Sequence, residues 1–455
     1  MSTSLPTSPV PDAKAPRRAG IVAWVLSTYF AEGFPAQIVR WLSGIYFTDI
    51  GMKEAFIGRA NWLGFPWLFK FLWAPLVDLW ATKRKWMLWI EGLLTLLTLT
   101  LAFVSSFGPK GQGAASQPIE KLSWADLAQA IDPTTGLSHQ TIVIIMIAII
   151  SVMALLSATH DIAIDAYYLE GIPDPLDQAV YSSLRVLGFR IAVIVVRSAM
   201  IAFAVWTWNF LAGAAILGVI FVGHLLFLPQ TQSKRVATGL KEFLRSFATY
   251  LEQPRIALIL AFMIAYKLGD ELLFALNSTF LIRELGVTKP QMSWLSGVIG
   301  MAATIAGTVI GSIWIKRVGF KRALWPLTIL MNINIWVYVW LAWARPMATD
   351  LSGLVTISVA HAYENIAKGL GDAAYLVFLL YTCKPEHKAG HYAIGSAIMG
   401  FGSIVISGFA GDLVEQMGYT SFYVLSFFAS VPGMAIIPFL PIDEMIARRQ
   451  AEAQK

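Results

Sequence analysis

Ionisable side chains recur in the middle of long apolar stretches of this chain, and their spacing sets what they could do. His160, Asp161 and Asp165 share one stretch. The two aspartates are four apart and fall on one helix face. Neighbouring carboxylates share a proton readily, which suits a proton carrier; ion pairing with the next stretch is the structural alternative. That next stretch carries Arg190 and Arg197, seven apart and again on one face. A guanidinium stays charged and takes carboxylates two bonds at a time, so this pair expects either the two aspartates or an anionic ligand group. Arg185 and Glu170 lie nearer a helix end, where a structural role for the first and a gate role for the second are expected.

The same chemistry is spread over three other stretches. Glu32 is followed by Gly33 and Pro35, which predicts a kink beside the acid, with Arg40 nearly on the same face. Lys267, Asp270 and Glu271 cluster around Gly269. Glu364, Lys368 and Asp372 form an i, i+4, i+8 ladder, with His361 above and Asn365 beside it. Such a ladder can satisfy itself, or break and reform as a gate. Placing an ionisable group in a membrane helix costs at least about 2.5 kcal/mol, so each is a functional candidate.

These groups need elements to hold them. The chain has 455 residues, 57% hydrophobic and only 14% charged, against roughly 25% charged in soluble domains. Apolar stretches long enough to span a bilayer, about 20 residues each, recur about twelve times. We place them near 21–47, 57–79, 86–106, 140–167, 178–205, 208–229, 255–282, 291–314, 322–344, 353–382, 389–413 and 420–441. They are too long and continuous for barrel strands, so the fold class is an all-α membrane protein. If the N-terminus is cytoplasmic, twenty Lys and Arg fall on the inner side and seven on the outer. That bias predicts both termini inside. Residues 1–20, with four prolines and a few bases, read as a disordered tail and not as a leader.

The basic segment 230–254 divides the chain into a bundle at 21–229 and a second at 255–443, followed by a tail at 444–455. Residues 107–139 form a long outer loop, in which Ser123 is expected to cap a short helix with Trp124, Leu127 and Ala128 on one face and Asp132-Pro133 at its end. The halves echo each other: Asp49-Ile50-Gly51 against Glu284-Leu285-Gly286, Lys83-Arg84-Lys85 after Asp78 against Lys316-Arg317, and Asp165-Ala166-Tyr167 against Asp372-Ala373-Ala374-Tyr375. By this register Glu32 and Lys267 are equivalent positions. A duplicated six-helix layout with a basic central loop is that of the major facilitator superfamily, whose bundles rock around a midplane cavity.

A single Cys383 leaves no disulfide framework or cysteine metal site, and no phosphate-loop motif is present. No cofactor, metal or nucleic-acid partner is expected, and an ion gradient is the expected energy source.

Several motifs resemble the AmpG-like permease family of that superfamily: Lys70 to Asp78 (KFLWAPLVD), Asp161 to Tyr167 (DIAIDAY) with Glu170, Leu187 to Arg190 (LGFR), Lys267 to Asp270 (KLGD), Thr279 to Arg283 (TFLIR) and Glu364-Asn365. The resemblance implies proton-driven import of muropeptides across the bacterial inner membrane. This chain differs at His160, where the family has Gln, at Tyr168, where it has Arg, at Lys368, Asp372 and Arg197, which add charge, and in loop 107–139. A siderophore or an acyl-CoA are alternative anionic cargoes. Drug efflux fits the buried bases poorly, and a membrane-embedded acyltransferase leaves the repeat unexplained.

The expected proton-coupling residues are therefore Asp161, Asp165, Glu32 and Asp270. Substrate contact is expected from Arg190, Arg197, Lys267, Lys368, Glu364, Asn365 and Asp372, and from Tyr29, Tyr167 and His160. Asp78, Arg84, Glu170 and Asp412 are expected to gate. The partners are a small-molecule substrate, protons and the lipid bilayer, with the chain acting as a monomer and not as an enzyme.

Overall fold

The computed structural model describes residues 18–74, 76–77, 81–113, 119–172, 174–230, 240–384 and 388–453. The described helices, grouped where only a kink separates them, give α1 to α12. The first half holds α1 (18–49), α2 (54–72), α3 (Lys83–Ser105), α4 (His139–Gly171), α5 (Pro175–Ala199) and α6 (Trp206–Phe227). The second holds α7 (256–283), α8 (289–318), α9 (320–344), α10 (Leu351–Thr382), α11 (388–417) and α12 (419–439). An amphipathic helix, Leu240–Leu251, lies between the halves, and Ile442–Ala453 follows α12.

Seven of these stretches are long and apolar enough to cross a membrane on length and composition alone. One of them runs for 50 residues, more than twice what a bilayer core needs, and turns back at Gly418, whose φ is 75°. Large apolar side chains such as Leu96, Phe103, Val222, Ile310 and Val359 point outward, as lipid-facing positions must. The protein is a multi-pass membrane protein.

The repeat seen in the sequence has a structural counterpart. Gly51 and Gly286 end α1 and α7 with φ of 92° and 69°, a left-handed backbone that costs a glycine least. In each half a central helix meets its equivalent partner, α1 with α4 and α7 with α10. The halves meet along two mirrored seams, α2 with α11 and α5 with α8. The end carrying the N-terminus of α1 is the terminal face, and the other end is the opposite face.

Two irregularities place functional groups. Pro35 cannot donate a backbone hydrogen bond, and a π turn, Ile38–Leu42, follows it with Arg40 at its centre. The helix α7 is broken after Ala265 and resumes at Leu268, leaving Lys267 on the break. The outer loop holds the expected short helix, Trp124–Gln129, capped by Ser123. The cap is reciprocal, with Asp126 accepting a bond from the Ser123 amide at 2.6 Å. Only Leu127 of the expected face is buried, because the helix sits on the turn between α1 and α2 while Trp124 leans edge-on against Phe56.

Candidate functional site

The first charged cluster is built by α1, α2, α4 and α5. Asp161 and Asp165 do face one way from α4, but each has its own cation. Lys70 of α2 lies 2.7 Å from Asp161, and Arg185 of α5 pairs with Asp165 at 2.5 Å. The Tyr29 hydroxyl donates to Asp165 at 2.7 Å. The Arg185 guanidinium stands 4.7 Å from the ring centres of both Tyr29 and Tyr168, a cation held between two aromatic faces. Arg185 is thus central, not the peripheral structural residue its place near a helix end suggested. Its signal in the sequence was the tyrosine that replaces the family's arginine at position 168.

Glu32 completes this cluster. Its Oε2 is buried with no hydrogen-bond partner. It lines a cavity of about 550 Å³ together with Tyr29, Arg185, Phe189 and Arg190 from the first half and Met301 and Tyr392 from the second. Arg190 donates to the Met301 sulfur at 3.5 Å and has no carboxylate within ion-pair distance among the described residues.

The second cluster is built by α7 and α10. Lys267, freed by the helix break, lies 2.6 Å from Asp372, 3.4 Å from Glu271 and 3.6 Å from Asp270. Lys368 lies 3.4 Å from Asp270 and only 3.3 Å from the centre of the Phe274 ring. The ladder on α10 therefore does not satisfy itself. Its lysine and aspartate pair across to α7, while Glu364 is fully buried and takes a 2.8 Å bond from Asn365. Asn365 in turn accepts from Thr304 of α8 at 3.0 Å.

Above both clusters, towards the opposite face, a smaller cavity of about 230 Å³ lies on the seam between the halves. Gln37, Arg40, Arg197, Glu271, Phe274 and Lys368 line it. Arg197 Nε donates to the Gln37 side-chain oxygen Oε1 at 3.4 Å, and its guanidinium lies 5.4 Å from the Trp41 ring centre.

The hydrogen bonds that join the halves gather at the opposite face. Arg283 of α7 donates to the carbonyls of Thr48 and Met52 at 2.8 and 2.7 Å and to Glu54 at 3.3 Å. Lys289 of α8 reaches Asp49 at 3.1 Å and the Ala204 carbonyl at 2.8 Å. Arg59 of α2 pairs with Asp412 of α11 at 2.5 Å, and Thr48 meets Thr279 at 2.9 Å. The outer loop is part of this closure: Lys121 sits 2.8 Å from Glu54, and the Gly113 amide donates to Asp49 at 3.0 Å. These contacts close the seam on this side, while the 550 Å³ cavity lies beside the first cluster, lined by residues of the terminal half of α5 and by Tyr392 near the start of α11.

Some expected residues lie elsewhere. His160 is fully buried inside the first half, 3.3 Å from Glu91 of α3, and does not line either cavity. Glu91 also binds His224 of α6 at 2.7 Å, so this trio ties three helices together. Tyr167 is likewise core: its hydroxyl donates to the Pro229 carbonyl at 2.7 Å and its ring packs against Trp24. Arg84 caps the end of α6, donating to the carbonyls of Leu228 and Leu225 at 2.9 Å each. Among the described residues it answers orphan helix carbonyls. Asp78, its expected partner, lies outside the described residues. Glu170 is half-buried near the terminal end of α4, beside Tyr167. Asp412 sits on the opposite-face seam, where a latch was expected. Asp49, Glu54, Arg283 and Lys289 also hold that seam and were not expected as latch residues; the charge beside each repeated D-I-G and E-L-G turn was the signal for them.

The chain is similar to the anhydromuropeptide permease of Escherichia coli K12, 26% identical over 425 residues that make up 90% of this chain and 77% of that protein. It is similar also to putative transporter AmpG 4 of Rickettsia conorii, at 23% identity over 90% of this chain and 94% of that one. A D-xylose-proton symporter structure superposes with a TM-score of 0.63 at 11% identity, covering 93% of this chain and 97% of its own. A bacterial homologue of the lysosomal transporter Spinster, inward-facing and unoccupied, gives 0.59 at 13%, covering 96% and 98%. No protein-family model matches the chain. The fold is that of major facilitator superfamily transporters, and the resemblance to AmpG-like permeases runs along nine-tenths of the sequence.

Proposed function

We propose that this chain is a proton-coupled importer of muropeptides, anhydro-disaccharides carrying a short peptide, that works by alternating access in the bacterial inner membrane. The observation that carries the reading is the pair of charged clusters, one per half, with the first beside a cavity towards the terminal face while the opposite seam is closed. With both termini cytoplasmic, this is the state that would release cargo to the cytoplasm. The permease relatives supply the cargo class, and the cavity chemistry is compatible with it: Arg190 suits a peptide carboxylate, and Tyr29, Phe189 and Tyr392 offer rings to a sugar face.

Asp165 is the proton carrier in this reading. Its side chain is half accessible beside the cavity, and its two partners, Arg185 and Tyr29, both line that cavity. Protonation would release Arg185 from Asp165 and leave it to a substrate anion. Glu32, partnerless at Oε2, is placed to pass a proton between cavity and cluster. The chain acts alone, as a monomer.

Purified protein in liposomes tests the proposal. Anhydro-muropeptide uptake should follow an inward proton gradient and bring protons with it, and Asp165→Asn should abolish that influx. Uptake indifferent to the gradient removes the coupling; absence of any muropeptide uptake removes the cargo.

A further inference from the structure

Three arginines on the inter-half seam, Arg40, Arg190 and Arg197, have no carboxylate within ion-pair distance among the described residues. The lysines of the two charged clusters differ: Lys70, Lys267 and Lys368 each meet an aspartate. A guanidinium cannot shed its charge in protein, so burial does not neutralise it. Arg40 and Arg197 both line the 230 Å³ cavity. The one carboxylate on that cavity, Glu271, is engaged by Lys267 at 3.4 Å. Arg40 is exposed and Arg197 half-buried, so both present their charge to the cavity, and two like charges facing one small space repel unless something anionic joins them.

From this geometry we infer a second anion subsite, formed by Arg40 and Arg197, set above the Arg190 subsite on the same helix face. The inference rests on the transport reading of the cavity and deepens it. Arg190 and Arg197 are seven residues apart on an unbroken α5, which is two turns and about 10 Å along the axis. The ligand class is therefore a solute with two anionic groups, carboxylate or phosphate, separated by about 10 Å. One group docks at Arg190 in the larger cavity and the other between Arg40 and Arg197. The π turn at Ile38–Leu42 serves the second subsite: it re-aims Arg40 into the seam just after Pro35 breaks the helical ladder. Trp41 and Phe274 supply the aromatic walls.

The test uses full-length protein in lipid nanodiscs and a graded series of α,ω-dicarboxylates from succinate to sebacate, with decanoate as the single-anion control and a bisphosphonate of matching length to separate carboxylate from phosphate preference. Affinity should rise roughly tenfold once the two charges can span both subsites, and decanoate should not show that gain. Arg197→Gln and Arg40→Gln should each erase the length preference, and Arg197→Lys should restore part of it. Because neither arginine has an ion-pair partner to lose, thermal unfolding should not drop in these variants. A variant that does unfold early is replaced by its lysine counterpart, which keeps the charge and tests only the two-bond geometry. Affinity independent of chain length, or a length preference that survives Arg197→Gln, overturns the inference. Muropeptide uptake run in parallel separates it from the cargo reading. Uptake without length-dependent binding removes the second subsite alone; length-dependent binding without uptake removes the muropeptide cargo alone.

Discussion

The two charged clusters occupy equivalent places in the two repeats and hold their charges differently. In the first half each aspartate has a private cation from a different helix: Lys70 from α2 for Asp161, Arg185 from α5 for Asp165. In the second half one lysine at a helix break is shared by three carboxylates, Asp270, Glu271 and Asp372. Private pairs can open one at a time. A shared hub cannot, because removing it takes the cation from three carboxylates at once and, among the described residues, leaves only Asp270 with another, Lys368 at 3.4 Å. The first cluster is thus suited to a step that titrates, and the second to holding α7 against α10 while that step occurs.

The sharpest way to break this contrast is to remove the hub. Lys267→Met should destabilise the protein by on the order of 3–5 kcal/mol, seen as a large fall in detergent melting temperature. Lys70→Met should cost visibly less, since Asp161 alone is orphaned. Equal losses would erase the difference between the halves. Next, the equivalent aspartates should diverge. Asp165→Asn should keep the fold, because Arg185 retains its place between Tyr29 and Tyr168, yet lose substrate-driven proton influx in proteoliposomes. Asp372→Asn should lower stability while leaving coupling measurable in whatever protein folds, as Lys267 keeps two other carboxylates.

A smaller effect is expected at the opposite-face closure. Arg283→Gln removes three bonds across the seam but leaves Glu54 its Lys121 contact. The fold should hold and the closed state should lose population. In a Cys383→Ser background, Thr48→Cys should then label several-fold faster with an impermeant maleimide, and unchanged labelling would show that Arg283 does not hold the seam. Smallest of all, Ser123→Ala should loosen only Trp124–Gln129, raising its amide exchange with uptake untouched.

The helices were legible because bilayer-length apolar runs leave the backbone no other option, and the ends agree closely: 353–382 was expected where Leu351–Thr382 is found. The duplicated turns were legible because Gly51 and Gly286 serve the same left-handed geometry. The Asp161/Asp165 face followed from periodicity, and an irregularity near Pro35, found as the π turn Ile38–Leu42, from proline's missing donor. Sequence spacing says which side of a helix a residue takes, but not which neighbour it meets. His160 and Tyr167, one and two positions from the acids and so on other faces of α4, are core, and Arg84 caps a helix.

The sequence by itself determined that this is a helical membrane protein of duplicated halves, with charges buried on α1, α4, α5, α7 and α10. These features are local or periodic, and the cost of exposing backbone or charge to lipid enforces them. Only the tertiary structure decided which charges are paired and which are left free. Arg185 for Asp165, Asp372 for Lys267 and Thr48 for Arg283 come from 20, 105 and 235 positions away, brought together by how the helices tilt and which seam is closed. The three arginines with no carboxylate among the described residues became visible for the same reason: partners are recognised only once neighbours are in place.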